Sequence, residues 1–307
     1  MNSHSKPICF LSMEDLSGYF TYDERTANIL SNNGLPVEFI PWRSNVDWNR
    51  FSLVLIRSTW DYQNNVESFL QVLEAIHKSS AVLINPLNVV RWNLNKGYLL
   101  QLDKLGVPII PTFFGSSPTL IDLNRFHQEL GGNELILKPL VGANAEGIFR
   151  LSPPFDSPLA KQAINHYNGR DFFAQPFLPS IETEGETSII YFDGTFNHAI
   201  IKRPKKGDFR VQEEHGGVFE LCTPDAESLR IAELALKAVA EVLQFKEPLL
   251  YARVDLARCL NGSLGLMELE LIEPSLYLNL DEESPQRFAE AIIRAREKYV
   301  STSSTQS

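Results

Sequence analysis

One segment constrains this chain more than any other: Tyr251 to Glu273, two alternating apolar and polar runs joined by Asn261-Gly262. Asn-Gly between such runs predicts a two-residue hairpin, because both central positions of a type I′ turn need positive φ. That turn sets Leu260 opposite Ser263. Counting outward, Asp255 faces Glu268 and Arg253 faces Glu270. Side chains two apart share a face of a strand. Arg253, Asp255, Glu268 and Glu270 therefore form one patch, and Val254, Leu256, Met267 and Leu269 point to a core on the other face. Three carboxylates this close repel one another. A divalent cation or a cationic ligand would compensate, and an oxygen-only set without His or Cys favours magnesium over zinc. A solvated polar face partly neutralised by Arg253 explains the same pattern without a metal.

The rest of the chain supplies a scaffold. Ile8 to Leu11, Val37 to Ile40, Leu53 to Ile56 and Val82 to Asn85 are short apolar runs, and Asp23 to Asn33 and Asn65 to Lys78 between them have helical character. This βαβ rhythm predicts a small parallel sheet covered by helices. A helix from Asn93 to Leu105 stops at Gly106 and Pro108. Beyond it the pattern becomes α+β. Strands are expected at Glu134 to Pro139, Gly147 to Leu151, Phe172 to Phe177, Thr187 to Tyr191 and Phe196 to Lys202, and helices at Ala226 to Leu243 and Ser284 to Tyr299. The first of those helices follows Thr223-Pro224-Asp225, which supplies a cap.

Composition limits the function. The 307 residues exceed one typical domain, and an apolar share of 44% is enough for a real core. A net charge of -10 argues against nucleic acid or an anionic membrane as the main partner. Cys9, Cys222 and Cys259 are widely spaced and odd in number, with neither a disulfide framework nor a zinc cluster, as in a reducing compartment. The run Pro7 to Met13 reads as a first strand rather than a signal peptide, and no apolar stretch is long enough to span a bilayer. A cytoplasmic protein is the expectation.

A second constellation lies upstream of the hairpin. Leu135 to Arg150 carries Lys138 on a strand that runs into a small-residue loop, Gly142 to Gly147. Such loops let backbone N–H groups approach phosphate oxygens while lysine supplies a point charge. Lys202-Arg-Pro-Lys-Lys206 is either a phosphate contact or a solvated charge run. The six histidines show no metal spacing, and Ser12 and Ser58 have no recognisable triad partners.

Taken in order, these segments resemble the ATP-grasp ligases, and bacterial glutathione synthetases in particular, over roughly Asn93 to Leu280. Leu135 to Arg150 is similar to their phosphate loop, and Ala174-Gln-Pro-Phe-Leu-Pro-Ser-Ile181 to the hinge that binds adenine. Asp208 to Gly217 looks like the mobile loop over the triphosphate, and the hairpin matches the magnesium segment. The N-terminal half, through Arg57-Ser-Thr-Trp-Asp-Tyr62 and Asn85 to Lys96, resembles the ATP-grasp cyclo-ligases of cycloserine biosynthesis.

The resemblance implies a fold: an N-terminal βαβ substrate domain (residues 1–90) before a two-lobed ATP-grasp unit. The small lobe would be 91–174, the large lobe with the metal site 175–300, and a disordered tail 301–307. It also implies roles. ATP would be held by Lys96, Lys138, Gly142, Ala143, Asn144, Gln175, Phe177, Leu178, Glu186 and His215. Asp255, Glu268 and Glu270 would bind two magnesium ions, with manganese able to substitute. Arg253, Arg210, Lys202 and Arg203 would stabilise transferring charge, and Arg57, Asp61, Glu273 and Ser275 would meet an amino-acid-like substrate. Trp60 and Tyr62 either serve that substrate or pack beneath the next domain.

The sequence departs from the glutathione synthetase pattern at three points. Its phosphate loop carries Asn144 and Glu146, its last metal position is Glu270 where Asn is usual, and Glu273-Pro274-Ser275 stands in place of Ser-Pro. The implied chemistry is ATP- and magnesium-dependent amide formation through an acyl phosphate. The alternatives are an intramolecular cyclo-ligase and a non-catalytic ATP-binding regulatory protein. A homodimer or homotetramer is common among similar proteins.

Overall fold

A computed structural model of the chain describes residues 6–142, 146–205 and 210–304, with the backbone alone described for His215 and 300–304. The N-terminal domain is the expected βαβ unit. It contains β1 (Ile8–Ser12), α1 (Asp23–Asn32), β2 (Val37–Pro41), β3 (Leu53–Ser58), α2 (Val66–Lys78) and β4 (Val82–Ile84). The strands form a parallel sheet in the order β2-β1-β3-β4. Every residue of β1 and β3 is buried, which explains why both read as unbroken apolar runs: helices cover both faces. α2 starts at Asn65, whose side chain accepts from the Ser68 N–H at 3.1 Å, and it buries Phe69, Leu73 and Ile76 along one stripe.

The single helix expected over Asn93 to Leu105 is two: α3 (Leu87–Asn93) and α4 (Tyr98–Lys104). Local and tertiary contacts break it. The Asn95 side chain accepts from the Gly97 N–H at 2.8 Å, and the Lys96 N–H donates to the Leu140 carbonyl at 2.8 Å, across to the phosphate-loop region. Lys96 thus leaves the helix and reaches the cleft. Val89, Tyr98, Leu99 and Leu102 pack into the large-lobe core, so the segment expected to open the small lobe belongs physically to the large one.

The small lobe comprises β5 (Phe113–Ser116), α5 (Leu120–Leu130), β6 (Leu135–Pro139), β7 (Phe149–Leu151), α6 (Pro158–His166) and β8 (Asp171–Pro176). Its antiparallel sheet runs β5-β8-β6-β7. β8 crosses the expected 174/175 lobe boundary. Two helices that the sequence reading passed over, α5 and α6, carry plain start signals: a Thr119–Asp122 capping box, and a Ser157 cap with Pro158 in the first turn.

The large lobe adds α7 (Ser180–Thr183), β9 (Glu186–Phe192), β10 (Thr195–Arg203), β11 (Val218–Cys222), α8 (Ala226–Leu243), β12 (Tyr251–Arg258), β13 (Leu264–Glu270) and α9 (Ser284–Ser304). Its sheet runs β11-β10-β9-β12-β13. α8 has the expected bounds, capped by Asp225 accepting from the Ser228 N–H at 2.7 Å. α9 continues to Ser304, into residues expected to form a disordered tail. It packs Phe288 and Ile292 with Ile8, Phe10 and Leu30 of the N-terminal domain and with Ile190 and Phe192 of the large-lobe sheet. No described helix is long and apolar enough to cross a membrane.

The β12–β13 hairpin keeps the expected charged pairs but reaches them differently. Cys259 and Ser263 close the turn (N–H to carbonyl, 2.8 Å), leaving a three-residue loop in which Gly262, at φ +85°, is the left-handed residue and Asn261 is not. The pairs nearest the turn are therefore Arg258↔Leu264, Ala257↔Gly265 and Leu256↔Leu266. A bulge then restores Asp255↔Glu268 and Arg253↔Glu270. The extra residue is Met267, which turns into the cleft rather than the core. β13 is anchored along its outer edge by side chains. Asn93 donates to the Leu269 carbonyl at 2.8 Å and accepts from the Leu271 N–H at 2.9 Å, and the Tyr98 hydroxyl lies 2.9 Å from the Leu269 nitrogen. At Gly265 a Cβ would fall 2.9 Å from the Ile109 carbonyl carbon, so only glycine lets the lobe linker lie along β13.

Candidate active site

A cavity of about 240 Å³ lies between the two lobes, with Trp60 and Tyr62 of the N-terminal domain on its rim. Asp255, Glu268 and Glu270 line it and can each present an oxygen within 4.8 Å of the others. Each carboxylate already meets a cation. Arg253 donates to Asp255 through Nε and Nη2 (both 3.0 Å) and to Glu270. Lys202 lies 3.2 Å from Asp255 and 2.5 Å from Glu186, and Lys96 lies 2.9 Å from Glu268. The Ser188 hydroxyl donates to Asp255 at 2.5 Å.

These contacts divide the carboxylates. Burial works against the charge of Asp255, but Arg253 and Lys202 outweigh it and hold the group below the usual carboxylate range. Burial pushes Glu270 up to about 7, opposed by Arg253 and reinforced by Glu268 and Asp255. Glu273 goes to about 8, through burial and the neighbouring Glu270, with the Tyr62 hydroxyl as a hydrogen-bond donor that pulls it back. Burial alone would lower Lys202, yet Asp255 and Glu186 raise it.

On the small-lobe side, Lys138 donates to the Gln175 side-chain carbonyl at 2.9 Å and lies 3.4 Å from the Met267 sulfur. Burial lowers its pKa. Gln175 in turn donates to Thr112 at 3.0 Å, so its side chain is a lysine holder. Lys96 donates to the Gly142 carbonyl at 3.0 Å, tying the loop that follows β6 to Glu268. Phe177 and Leu178 line the cavity, and the Arg150 guanidinium stacks 3.6 Å over the Phe177 ring. Arg150 also bonds Glu134 at 2.8 Å and Glu182 at 3.2 Å, on opposite sides of the hinge. Arg210 and Ser275 line the cavity too, and the Ser275 carbonyl accepts from Arg253 at 3.1 Å.

Three expected site residues sit elsewhere. Arg203 pairs with Glu220 at 2.8 Å on the β10–β11 edge, because it alternates with cleft-facing Lys202. Asp61 accepts from the Trp42 indole at 2.7 Å and from Arg43, inside the N-terminal domain. Arg57 is buried, donating to Asp23 at 3.0 Å and to the Pro274 carbonyl at 3.1 Å. It lines a separate chamber of about 20 Å³ next to the cleft. Ala143, Asn144 and the His215 side chain lie outside the described residues, as do 206–209 of the expected mobile loop.

Sequence reasoning missed Ser188, the cleft position of Met267, and Tyr277, which lines the cavity with its ring centroid 5.6 Å from the Arg253 guanidinium. Ser188 was findable: it is two residues beyond Glu186 on β9 and pairs with Asp255 in the sheet. Met267 was hidden by the bulge, and nothing local marks Tyr277.

Two lobes closing on an acidic, lysine-rimmed cleft define a class, and the chain belongs to the ATP-grasp ligases, ATP- and magnesium-dependent enzymes that form carbon–nitrogen bonds. Residues 8–85 match the family described as D-cycloserine synthetase DcsG, N-terminal domain, and residues 108–256 the prokaryotic glutathione synthetase ATP-grasp domain. Cycloserine biosynthesis protein DcsG of Streptomyces lavendulae is 33% identical over 269 residues, covering 84% of this chain and 88% of the relative. A glutathione synthetase of Prochlorococcus marinus (strain MIT 9313) is 29% identical over 67% of each chain. The crystal structure of D-cycloserine synthetase DcsG superposes with a TM-score of 0.82 at 29% identity, over 95% of this chain and 99% of that one. D-alanine–D-alanine ligase from Bacillus anthracis shares the fold, with a TM-score of 0.62 at 14% identity over 96% and 99% of the two chains.

Proposed function

We propose that this ligase joins the carboxylate of a small amino-acid-like molecule to an amine, in the cytoplasm. The observation that carries this reading is the convergence of Asp255, Glu268 and Glu270 with Arg253, Lys202 and Lys96 at one end of the interlobe cleft. The oxygen-only donor set, with its oxygens able to converge within 4.8 Å, fits magnesium. The three carboxylates would hold two ions, with manganese able to replace them. Lys96, Lys138 and the backbone at Gly142 would hold the nucleotide's phosphates, and Phe177 and Leu178 its base.

Bound ATP would supply the phosphoryl group that activates the carboxylate, and magnesium would screen its phosphate charges. Arg253 is held flat by Asp255, Glu270 and the Ser275 carbonyl, so its orientation costs little when a substrate carboxylate arrives. Lys202 is held between Glu186 and Asp255 and would stabilise charge on the transferring group, with Arg210 from the neighbouring segment. Trp60 and Tyr62 at the rim would exclude water from the reacting groups.

A second reading is intramolecular: the amine and the carboxylate belong to one molecule. The N-terminal match to D-cycloserine synthetase DcsG over residues 8–85 favours it, with Trp60 and Tyr62 of this domain lining the cleft. A screen of D- and L-amino acids and short peptides for ADP release, with product mass, tests both readings. A product lighter than its single substrate by one water identifies cyclisation, and a mass joining two substrates identifies intermolecular ligation. ATP turnover independent of every carboxylate offered would overturn both. A homodimer or homotetramer is part of the proposal and is checked by sedimentation.

A further inference from the structure

Glu273 lies outside the carboxylate set proposed for the metal and lines the cleft three residues beyond Glu270. Its surroundings are particular. The Trp60 indole N–H donates to the backbone carbonyl of Glu273 at 3.0 Å, and the Tyr62 ring is stacked on Phe69 with centroids 4.7 Å apart. Two aromatic side chains from the N-terminal domain are therefore fixed on the cleft wall beside this carboxylate. The charged groups that act on it are Glu270, Lys96 and Glu268, and the Tyr62 hydroxyl donates to it. A half-buried carboxylate held between fixed side-chain donors binds a primary ammonium through charge and hydrogen bonds.

We propose that Glu273 receives the nucleophilic amine of the ligation, binding it as the ammonium and taking its proton as the carbon–nitrogen bond forms. The proposal rests on the ligase reading above. In this step the amine nitrogen, freed of one proton to Glu273, attacks the carbonyl carbon of the acyl phosphate. The bond from that carbon to the phosphate oxygen breaks, and phosphate leaves with the electron pair and takes the second nitrogen proton, so a neutral amide and hydrogen phosphate result. A carboxylate lining the cleft beside the amine is the group placed to take that proton. Arg253 and the metal carboxylates face the activated carboxylate and Glu273 faces the amine, so the two reactants are sorted by charge.

The test separates the two halves of the reaction. The D- and L-amino acids are offered singly and in pairs with ATP and magnesium, with and without hydroxylamine, which is neutral at pH 7 and needs no base. Wild type is read for ADP, product and hydroxamate. Absence of amino-acid-dependent ADP and hydroxamate in wild type sinks the ligase reading itself. For Glu273→Gln we expect hydroxamate within about threefold of wild type and product down at least 100-fold, the size of a lost general base. Glu273→Asp, which keeps the charge and so guards against misfolding of the first variant, should lose about tenfold in product alone. Equal loss of hydroxamate and product in both variants would place Glu273 in phosphoryl transfer and overturn the proposal, as would normal product formation.

Discussion

The Lys96 ammonium lies 2.9 Å from the Glu268 carboxylate, so a lysine stands beside one of the three proposed metal ligands. Glu268 has Asp255 opposite it and Glu270 two residues along, and Lys96 compensates part of that repulsion. Glu268→Gln keeps the shape and removes the charge. The fold should survive, and Lys96 retains the Gly142 carbonyl as a partner. Turnover should fall by about two orders of magnitude or more, and excess magnesium should recover it only partly. Thermal shift with magnesium and ATP, beside steady-state rates, checks both arms. Wild-type turnover at limiting magnesium would place the metal elsewhere.

Arg57→Ala tests a change of expectation. At the end of β3 in an open α/β domain, Arg57 reads as a substrate contact, and its loss would then raise KM. The structure instead buries it against Asp23 and the Pro274 carbonyl. Removing one partner of a buried ion pair costs about 3–5 kcal/mol. Urea unfolding should show a loss of that order, with ATP affinity changed little in the folded fraction. A variant of normal stability with raised substrate KM would restore the first reading.

Much of the fold was legible because periodicity is local: the unbroken apolar runs of β1 and β3 and the stripe of α2 each declare their surroundings. The charged face of the hairpin was legible for a less secure reason. A two-residue Asn261-Gly262 turn gives Asp255↔Glu268 by counting, whereas the actual turn is one residue longer and the bulge at Met267 returns the same pairing. Two displacements offset. Neither leaves a mark in the sequence, since both depend on how β13 meets the lobe linker and the Asn93 and Tyr98 side chains. Arg203 failed because strand alternation was not applied to Lys202-Arg203 as it was to the hairpin. The break at Lys96 was invisible because its partner, Leu140, is distant in sequence. Deleting Met267 should therefore leave Leu256↔Leu266 and Asp255↔Glu268 paired in one unbroken ladder, because it removes only the extra residue. Circular dichroism and magnesium-dependent turnover should both survive, and loss of both would show that the bulge itself, rather than the register, is required.

Arg150 joins the small-lobe Glu134 to Glu182 of α7 while stacking on Phe177. Arg150→Ala removes all three contacts at the adenine side of the cleft. A stacked guanidinium contributes about 0.5–2 kcal/mol, so the ATP KM should rise roughly 2- to 30-fold with kcat changed less. Arg150→Lys keeps the charge without the planar fork and should recover only part. An unchanged ATP KM in the alanine variant would show that the hinge holds its shape without the clamp.

His198 on β10 gives a pH prediction independent of the active site. Its Nδ1 lies 2.7 Å from Asn197 Oδ1 and 3.4 Å from Ser284 Oγ, and its Nε2 is buried with no hydrogen-bond partner among the described residues. Burial lowers the imidazole from its ordinary value near 6.5 to about 4, with Asp281 opposing and Arg287 assisting. The folded protein therefore holds this ring neutral while the unfolded chain would take up a proton. A depressed folded pKa contributes stability that is present above pH 6.5 and lost as pH falls toward 4. The full effect is on the order of 3 kcal/mol at most. His198→Asn, which cannot titrate, should show a shallower fall in unfolding free energy across that window. In wild type, the ring proton resonance of His198 should stay at its neutral position down to about pH 5. A midpoint near 6.5 would mean that the ring is open to water and that β10 and α9 do not close over it.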